Sequence, residues 1–144
     1  MITIKPGTIA QAVAVSRKVP ELSSPYLEIE YEQRFASCPH LILIAFDKNQ
    51  AVGFKAGYER DADSSFYSWM GGVIPTHRKK GIALQLAQNQ ENWARSNGYT
   101  AIRFKTRNKL KSMLAFALGN GFQIIKVDPV ETIEEYRIWL EKKL

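Results

Sequence analysis

The chain holds a single cysteine, Cys38, among its 144 residues. No internal disulfide can form, so a reducing compartment, the cytoplasm, is the expected location. Long apolar runs are missing too. The run from Leu41 to Phe46 is far too short to cross a bilayer, and Met1 to Lys5 lacks the apolar core of a signal peptide. No membrane partner is expected. Neither common phosphate loop occurs, G-x-x-x-x-G-K-[ST] or G-x-G-x-x-G. His40 and His77 lack neighbours at metal-ligand spacing, and no metal is expected. No Cys or Ser sits in a credible nucleophilic triad, and Cys38 reads as a small buried or half-buried side chain. There is no repeat, low-complexity segment or Gly/Ser linker, so residues 1–144 are read as one domain.

The charge balance is basic, with 20 Lys and Arg against 14 Asp and Glu, a net +6. Such an excess serves nucleic acid or an anionic cofactor equally well. Only Arg78-Lys79-Lys80 forms a tight run, and no aromatic-basic interleaving marks one surface. No nucleic-acid partner is expected.

The chain is organised around Tyr67 to Ser96. Phe66 to Met70 is aromatic and suits a strand. Gly71-Gly72 signals a bulge or a close backbone approach, and Pro75 ends the ladder. The basic loop Thr76 to Lys80 then opens a helix through Gly81. On that helix Ile82, Leu86 and Trp93 share a face beside Ala83, Ala87 and Ala94, with Gln85, Gln88, Gln90, Glu91 and Arg95 turned away. The first N–H groups of a helix lack internal partners and carry the positive end of its dipole, so this mouth is an anion site. Gly81 removes the side chain where a ligand comes close.

The remainder reads in order. Ile2 to Lys5 is a short strand. Thr8 caps a helix running to about Lys18, and Pro20 stops it. Pro25 opens a second helix, Tyr26 to Phe35. Leu41 to Phe46 is a buried strand and Ala51 to Tyr58 returns from a hairpin, with Val52, Phe54 and Ala56 on one face. Gly98 terminates the central helix. Thr100 to Thr106 alternates as a strand parallel to the one before the helix. Asn108 caps a helix whose Leu110, Met113, Leu114, Ala117 and Leu118 form a stripe, closed by Gly119-Asn120-Gly121. Phe122 to Val127 and Tyr136 to Lys142 are the last strands. Trp139 and Leu140 make the last one a candidate for a homodimer interface.

Arg78-x-x-Gly81-x-Ala83, preceded by Val73-x-Pro75 and followed by a helix, resembles the acetyl-coenzyme A loop of the GNAT superfamily of N-acetyltransferases, R/Q-x-x-G-x-G/A. Asn108 and the Gly121-Phe122 pair resemble the family's second signature. The resemblance implies an α/β fold in the order β-α-α-β-β-β-α-β-α-β-β, a mixed, mostly antiparallel sheet of about seven strands flanked by about four helices. It implies acetyl-coenzyme A as acyl donor, held by Gly72, Val73, Arg78, Lys79, Lys80, Gly81, Ile82, Ala83, Asn108 and Phe116. The fourth and fifth strands are expected to part, leaving a wedge between Gly71 to Val73 and Lys105 to Asn108 for the pantetheine arm. The thioester carbonyl is expected near an N–H of Gly72 or Val73. The implied reaction is direct attack by a primary amine, of a small molecule or a peptide, on that carbonyl.

Two departures from the family bear on catalysis. Ala117 stands where many members carry a tyrosine as general acid. No carboxylate lies between Ser65 and Val73, where many carry a base. Tyr67 is the only ionisable group on that strand and is the candidate catalytic residue, provided its pKa falls; otherwise water relays the proton to Glu30, Glu32 or Glu59, or bulk solvent accepts it. Each assignment has a plain alternative. The basic run can be a solvated helix entrance, Gly71-Gly72 a simple bulge, Tyr67 and Trp69 packing rings, and Asn108 a cap alone. Lys55 and Tyr58 are exposed strand residues or acceptor contacts. Glu28 to Glu32 is a solvated face or a lure for a cationic acceptor. The whole chain can also be an acyl-coenzyme A binding module without catalysis.

Overall fold

The computed structural model describes Met1 to Leu144. Its elements run β1 (Ile2–Pro6), α1 (Ile9–Ser16), α2 (Glu28–Phe35), β2 (His40–Asp47), β3 (Gln50–Tyr58), β4 (Ser65–Val73), α3 (Ile82–Ser96), β5 (Ala101–Arg107), α4 (Lys111–Gly119), β6 (Gln123–Asp128) and β7 (Arg137–Lys143). Short 3₁₀ turns occupy Pro75–His77 and Ile133–Glu135. The expected element order is the observed one. The strands form one sheet in the order β1-β2-β3-β4-β5-β7-β6. Only β4 and β5 pair parallel, as the α3 crossover requires. No helix is long and apolar enough to cross a membrane.

The first helix starts as its sequence dictates. The Thr8 hydroxyl accepts from the Gln11 N–H, and the Gln11 side chain accepts from the Thr8 N–H, a closed capping box. The second begins at Glu28, later than expected, because Leu27 N–H is satisfied by the Glu30 carboxylate and Pro25 stays outside. The two faces of the sheet follow from β3 and β4. Where Gly53 sits bare, a Cβ would meet Leu86 and Ile82 of α3. On Gly72 it would meet Val19 at 3.0 Å, so this glycine lets the segment after α1 lie flat on the other face. The main core fills both layers, with Tyr31, Ile44, Val52, Phe54 and Phe66 fully buried. A smaller core of Ala117, Ile138 and Leu140 seats α4 on the same side as α3.

Several expectations need correction. The β-bulge lies at Trp69, opposite Ala56 and Gly57, while Gly71 and Gly72 keep regular pairing with Lys55 and Phe54. Gln90 and Glu91 are buried, not turned to solvent, because Glu91 is paired with Lys142 at 2.9 Å. Ala83 is exposed, although it was placed beside the buried face. Met113 and Leu118 of the α4 stripe are largely exposed, since only one edge of this helix reaches the small core. Tyr58 is buried, and Lys55 is half-buried with its stem beside Gly71. The strand β7 lies inside the sheet with Leu140 fully buried and Trp139 half-buried, and the free edge on that side belongs to β6.

Candidate functional site

The loop before α3 is held open by four contacts. His77 Nε2 lies 2.9 Å from an Asp47 carboxylate oxygen in the β2–β3 hairpin, and its Nδ1 lies 2.9 Å from the Thr76 hydroxyl. Arg78 donates from Nε to the Val73 carbonyl at 3.1 Å, and its two terminal nitrogens grip Glu21 at 2.9 and 2.6 Å. The Arg78 guanidinium therefore braces the loop rather than standing free at its mouth. Lys79 adopts φ +61° and Gly81 φ +78°, left-handed values that curl the chain into a concave turn. Around Gly81 a Cβ would meet nothing within 4 Å, so the approach there is open. No backbone N–H from Lys79 through Leu84 donates to any acceptor within the chain. Lys79 and Lys80 are exposed, while the only ion pair in the loop's basic run is that of Arg78. A cavity of about 230 Å³ adjoins these amides and is lined by Val73, Arg78, Lys79, Gly81, Ile82, Ala83 and Phe116. Seven of the ten expected donor-binding residues thus converge.

The wedge is present. The strands β4 and β5 pair only from Ser65 to Tyr67 against Ala101 to Arg103, and no pairing continues beyond. On the other side β4 stays paired with β3 up to Val73. Ile74 N–H donates to the Val52 carbonyl at 2.9 Å. By antiparallel alternation Gly72 is likewise committed to β3, and Gly71 and Val73 turn their N–H groups toward the wedge. Of the two residues expected at the thioester, Val73 has the open N–H and Gly72 does not. Asn108 is not a helix cap: Leu110 holds that position. Asn108 instead binds the β6–β7 connection, donating to Ile133 and accepting from Lys111. It ends the β5 arm without reaching the loop cavity.

Tyr67 sits at the vertex, as the last paired residue of β4. It is buried, and burial pushes its phenol up to about 12, with the Arg60 cation opposing. A base needs a lowered pKa, so the structure argues against Tyr67 in that role. Of the expected relays, Glu30 accepts from the Leu27 N–H at the start of α2, Glu32 is exposed, and Glu59 lies against Tyr99 and Cys38. Ala117 is buried in the small core, where no side-chain acid is available.

A set of residues missed in the sequence surrounds the vertex on the α2 side. Arg34 lies over Trp69 at 4.5 Å and donates to the Tyr58 hydroxyl at 2.8 Å. Arg60 spans Tyr67 at 5.2 Å and Trp139 at 5.1 Å, and Lys105 covers Trp139 at 5.4 Å. These cations come from α2, the β3–β4 loop and β5, so no sequence spacing links them. Lys105 itself is pulled below the usual lysine value, first by burial and then by Arg60, Arg137 and Arg34. No group of three or more His, Cys, Asp or Glu side chains converges to hold a metal ion.

Over its whole length the chain superposes on the ribosomal-protein-S18-alanine N-acetyltransferase of Escherichia coli with a TM-score of 0.84 at 13% identity, covering 99% of this chain and 94% of that one. A GNAT family acetyltransferase from Elizabethkingia anophelis with acetyl-CoA bound gives 0.78 at 21% identity, covering 99% and 98%. The PaiA N-acetyltransferase of Thermoplasma acidophilum, in complex with coenzyme A, gives 0.77 at 18%, covering 100% and 99%. Sequence comparison with curated proteins finds no match. The profile described as Acetyltransferase (GNAT) family matches residues 11–122, from the first helix through the Gly121-Phe122 pair. With that span, the parted strands and the seven-stranded sheet in agreement, this chain belongs to the GNAT acetyltransferase family.

Proposed function

We propose that this protein transfers an acetyl group from acetyl-coenzyme A to a primary amine by direct attack on the thioester. One observation carries the proposal: the unbonded amides from Lys79 to Leu84 open beside the place where β4 and β5 part. Several aligned N–H groups at a helix start suit a diphosphate, and Lys79 and Lys80 add cationic charge. The unpaired edges of the wedge suit the amide-bearing pantetheine arm, which binds as an added strand. Relatives of the same fold hold acetyl-CoA or coenzyme A in their structures, which supports this choice of donor.

The chemistry needs little from side chains. The amine nitrogen forms a bond to the thioester carbonyl carbon, negative charge builds on the carbonyl oxygen, and the C–S bond then breaks to release thiolate. The Val73 N–H is the fixed donor for that oxygen, a term often worth about 3 kcal/mol. The nitrogen's proton leaves to water and the thiolate takes one back. No carboxylate base is required if the amine arrives neutral. Cations at the vertex favour that state, because like charges lower the pKa of an ammonium group; at Lys105 the same cations add to the larger effect of burial.

A second reading, a non-catalytic acyl-coenzyme A binding module, draws support from the buried Ala117 and from the raised Tyr67 phenol. Thiol release from acetyl-coenzyme A separates the two. Turnover with at least one amine in a chemically diverse panel is expected; binding of the donor with no thiol release across the panel would leave the module.

A further inference from the structure

The cations around the wedge stand outside the ion-pair network: Arg34, Arg60, Lys105 and Arg137 take part in none of the ion pairs of the molecule. Glu32 and Asp61, close to Arg34 and Arg60 in sequence, are exposed and form no ion pair with them. Other carboxylates of the neighbouring strands are already engaged. Asp63 and Glu141 hold Arg103 at 2.5 and 2.7 Å. Glu135 holds Arg107 and Lys109 at 2.9 and 2.5 Å. Asp128 lies 3.4 Å from Lys126 and accepts from Trp139 at 3.2 Å. Three of these cations, Arg34, Arg60 and Lys105, therefore gather at one vertex over flat, electron-rich rings that hold them in place, while Arg137 lies farther along, opposite Arg107. Trp69 stands on the β4 arm past the last strand pair, and Lys105 on the β5 arm past it. This charge lies where an acceptor would meet the donor arm.

We infer that the acceptor is an amine that also carries an anionic oxygen group, carboxylate in the simplest case, on a body flat and apolar enough to lie against Trp69 and Trp139. The inference rests on the acetyltransferase reading for the word acceptor, but the preference itself is a binding property. Guanidinium groups match an oxyanion in a forked geometry that a neutral amine cannot use. Bringing such an amine in also offsets the repulsion among the three cations. Of the acidic stretch Glu28 to Glu32, Glu30 accepts from the Leu27 N–H and Glu28 and Glu32 are exposed, while the Arg34 of the same helix lies over Trp69 at the vertex.

The test compares amines that differ in one group. Phenylalanine and phenethylamine share ring and amine and differ only in the carboxylate. Phosphoethanolamine and ethanolamine form the matching pair for a phosphate. Quenching of tryptophan fluorescence reads binding directly, since Trp69 and Trp139 border the site and no turnover is needed. The expected result is at least tenfold tighter binding of the anionic member of one pair at low salt; the pair that shows it tells carboxylate from phosphate. The double substitution Arg60→Gln with Lys105→Gln is expected to abolish the difference, its fold being verified by an unchanged circular dichroism spectrum and cooperative thermal unfolding. Equal binding within both pairs, tighter binding of the cationic members, no binding of any of the four, or discrimination that survives the double substitution would each overturn the inference. Loss of the anion preference in a protein that still releases thiol from acetyl-coenzyme A removes only this inference. An anion preference in a protein that never releases thiol removes the acetyltransferase reading and leaves the anion site standing.

Discussion

At Tyr67 burial and charge pull in opposite directions. Removal from water raises the phenol, the nearby Arg60 lowers it, and the balance stays at about 12. A group that holds its proton this firmly does not accept one from an ammonium at neutral pH. Tyr67→Phe is therefore expected to keep kcat within about threefold of the parent, because the ring packing against Tyr58 and Trp139 is retained. A loss of two orders of magnitude in a steady-state assay would restore a proton-transfer role. Gly81 presents the opposite case, a residue that acts through its backbone. Its φ of +78° is strained for any side chain, and a left-handed alanine costs about 1 kcal/mol or more. Gly81→Ala is expected to lose about that much stability in a denaturant titration. Its affinity for acetyl-coenzyme A is expected to fall about tenfold, because the turn relaxes away from the shape that aligns the amides.

Helix α3 does more than present its first turn. Its buried side meets β3, where the half-buried Lys55 lies beside the bare Gly71. Burial pushes the Lys55 amine down to about 8, and the charge of Glu91 opposes the shift. The sign follows directly. A lysine with a folded pKa below its unfolded value binds fewer protons when folded, so stability rises with pH from about 8 to the ordinary 10.5. Lys55→Met is expected to flatten that rise and to add about 1 kcal/mol at pH 7, since the charged amine is costly there and the stem already packs. Denaturation at pH 7 and pH 9.5 checks both parts. The positions of α3 and of most other elements were legible in the sequence, because apolar periodicity and end signals such as Thr8 and Gly98 act locally. What lay outside the sequence was decided by distant partners. Glu91 is buried because Lys142, on the last strand, reaches it. Asn108 carries the signature position but is drawn to the β6–β7 connection. The bulge falls at Trp69 and not at the glycines; Gly72 stays in register and admits Val19.

For the molecule as a whole, the parting of β4 and β5 divides the sheet into β1 to β4 and β5 to β6, joined at three residue pairs. Arg103 reinforces that junction by binding Glu141 in β7 and Asp63 before β4. Hydrogen bonds from Ser65 and Arg103 hold Asp63 down at about 2, and Arg103 also lowers Glu141. Carboxylates lowered by folding stabilise the fold fully above their unfolded values, 3.8 and 4.5, and lose that contribution as pH falls toward the folded ones. Arg103→Gln is expected to lose less stability than the parent between pH 5 and about 2.5; an equal loss would mean that the junction is held by backbone pairing alone. The loop proposed to hold the donor was readable in the sequence, since all of its cavity lining but Leu84 and Phe116 lies in one continuous stretch from Val73 to Ala83. The face proposed for the acceptor was not. Its cations reach one vertex from three separate segments, and only the fold shows that their charges go unmatched.

On the proposed reading, the amides before α3 grip a diphosphate and so aim a thioester into the wedge. Calorimetric titration with acetyl-coenzyme A, set beside one with acetyl-pantetheine, which has the same thioester and arm but no diphosphate, separates that grip from every other contact. Saturable binding of acetyl-coenzyme A is expected, with at least hundredfold weaker binding of acetyl-pantetheine and a gap that narrows as salt is raised. Equal affinities, or no heat from acetyl-coenzyme A at millimolar concentration, would mean that these amides hold no diphosphate.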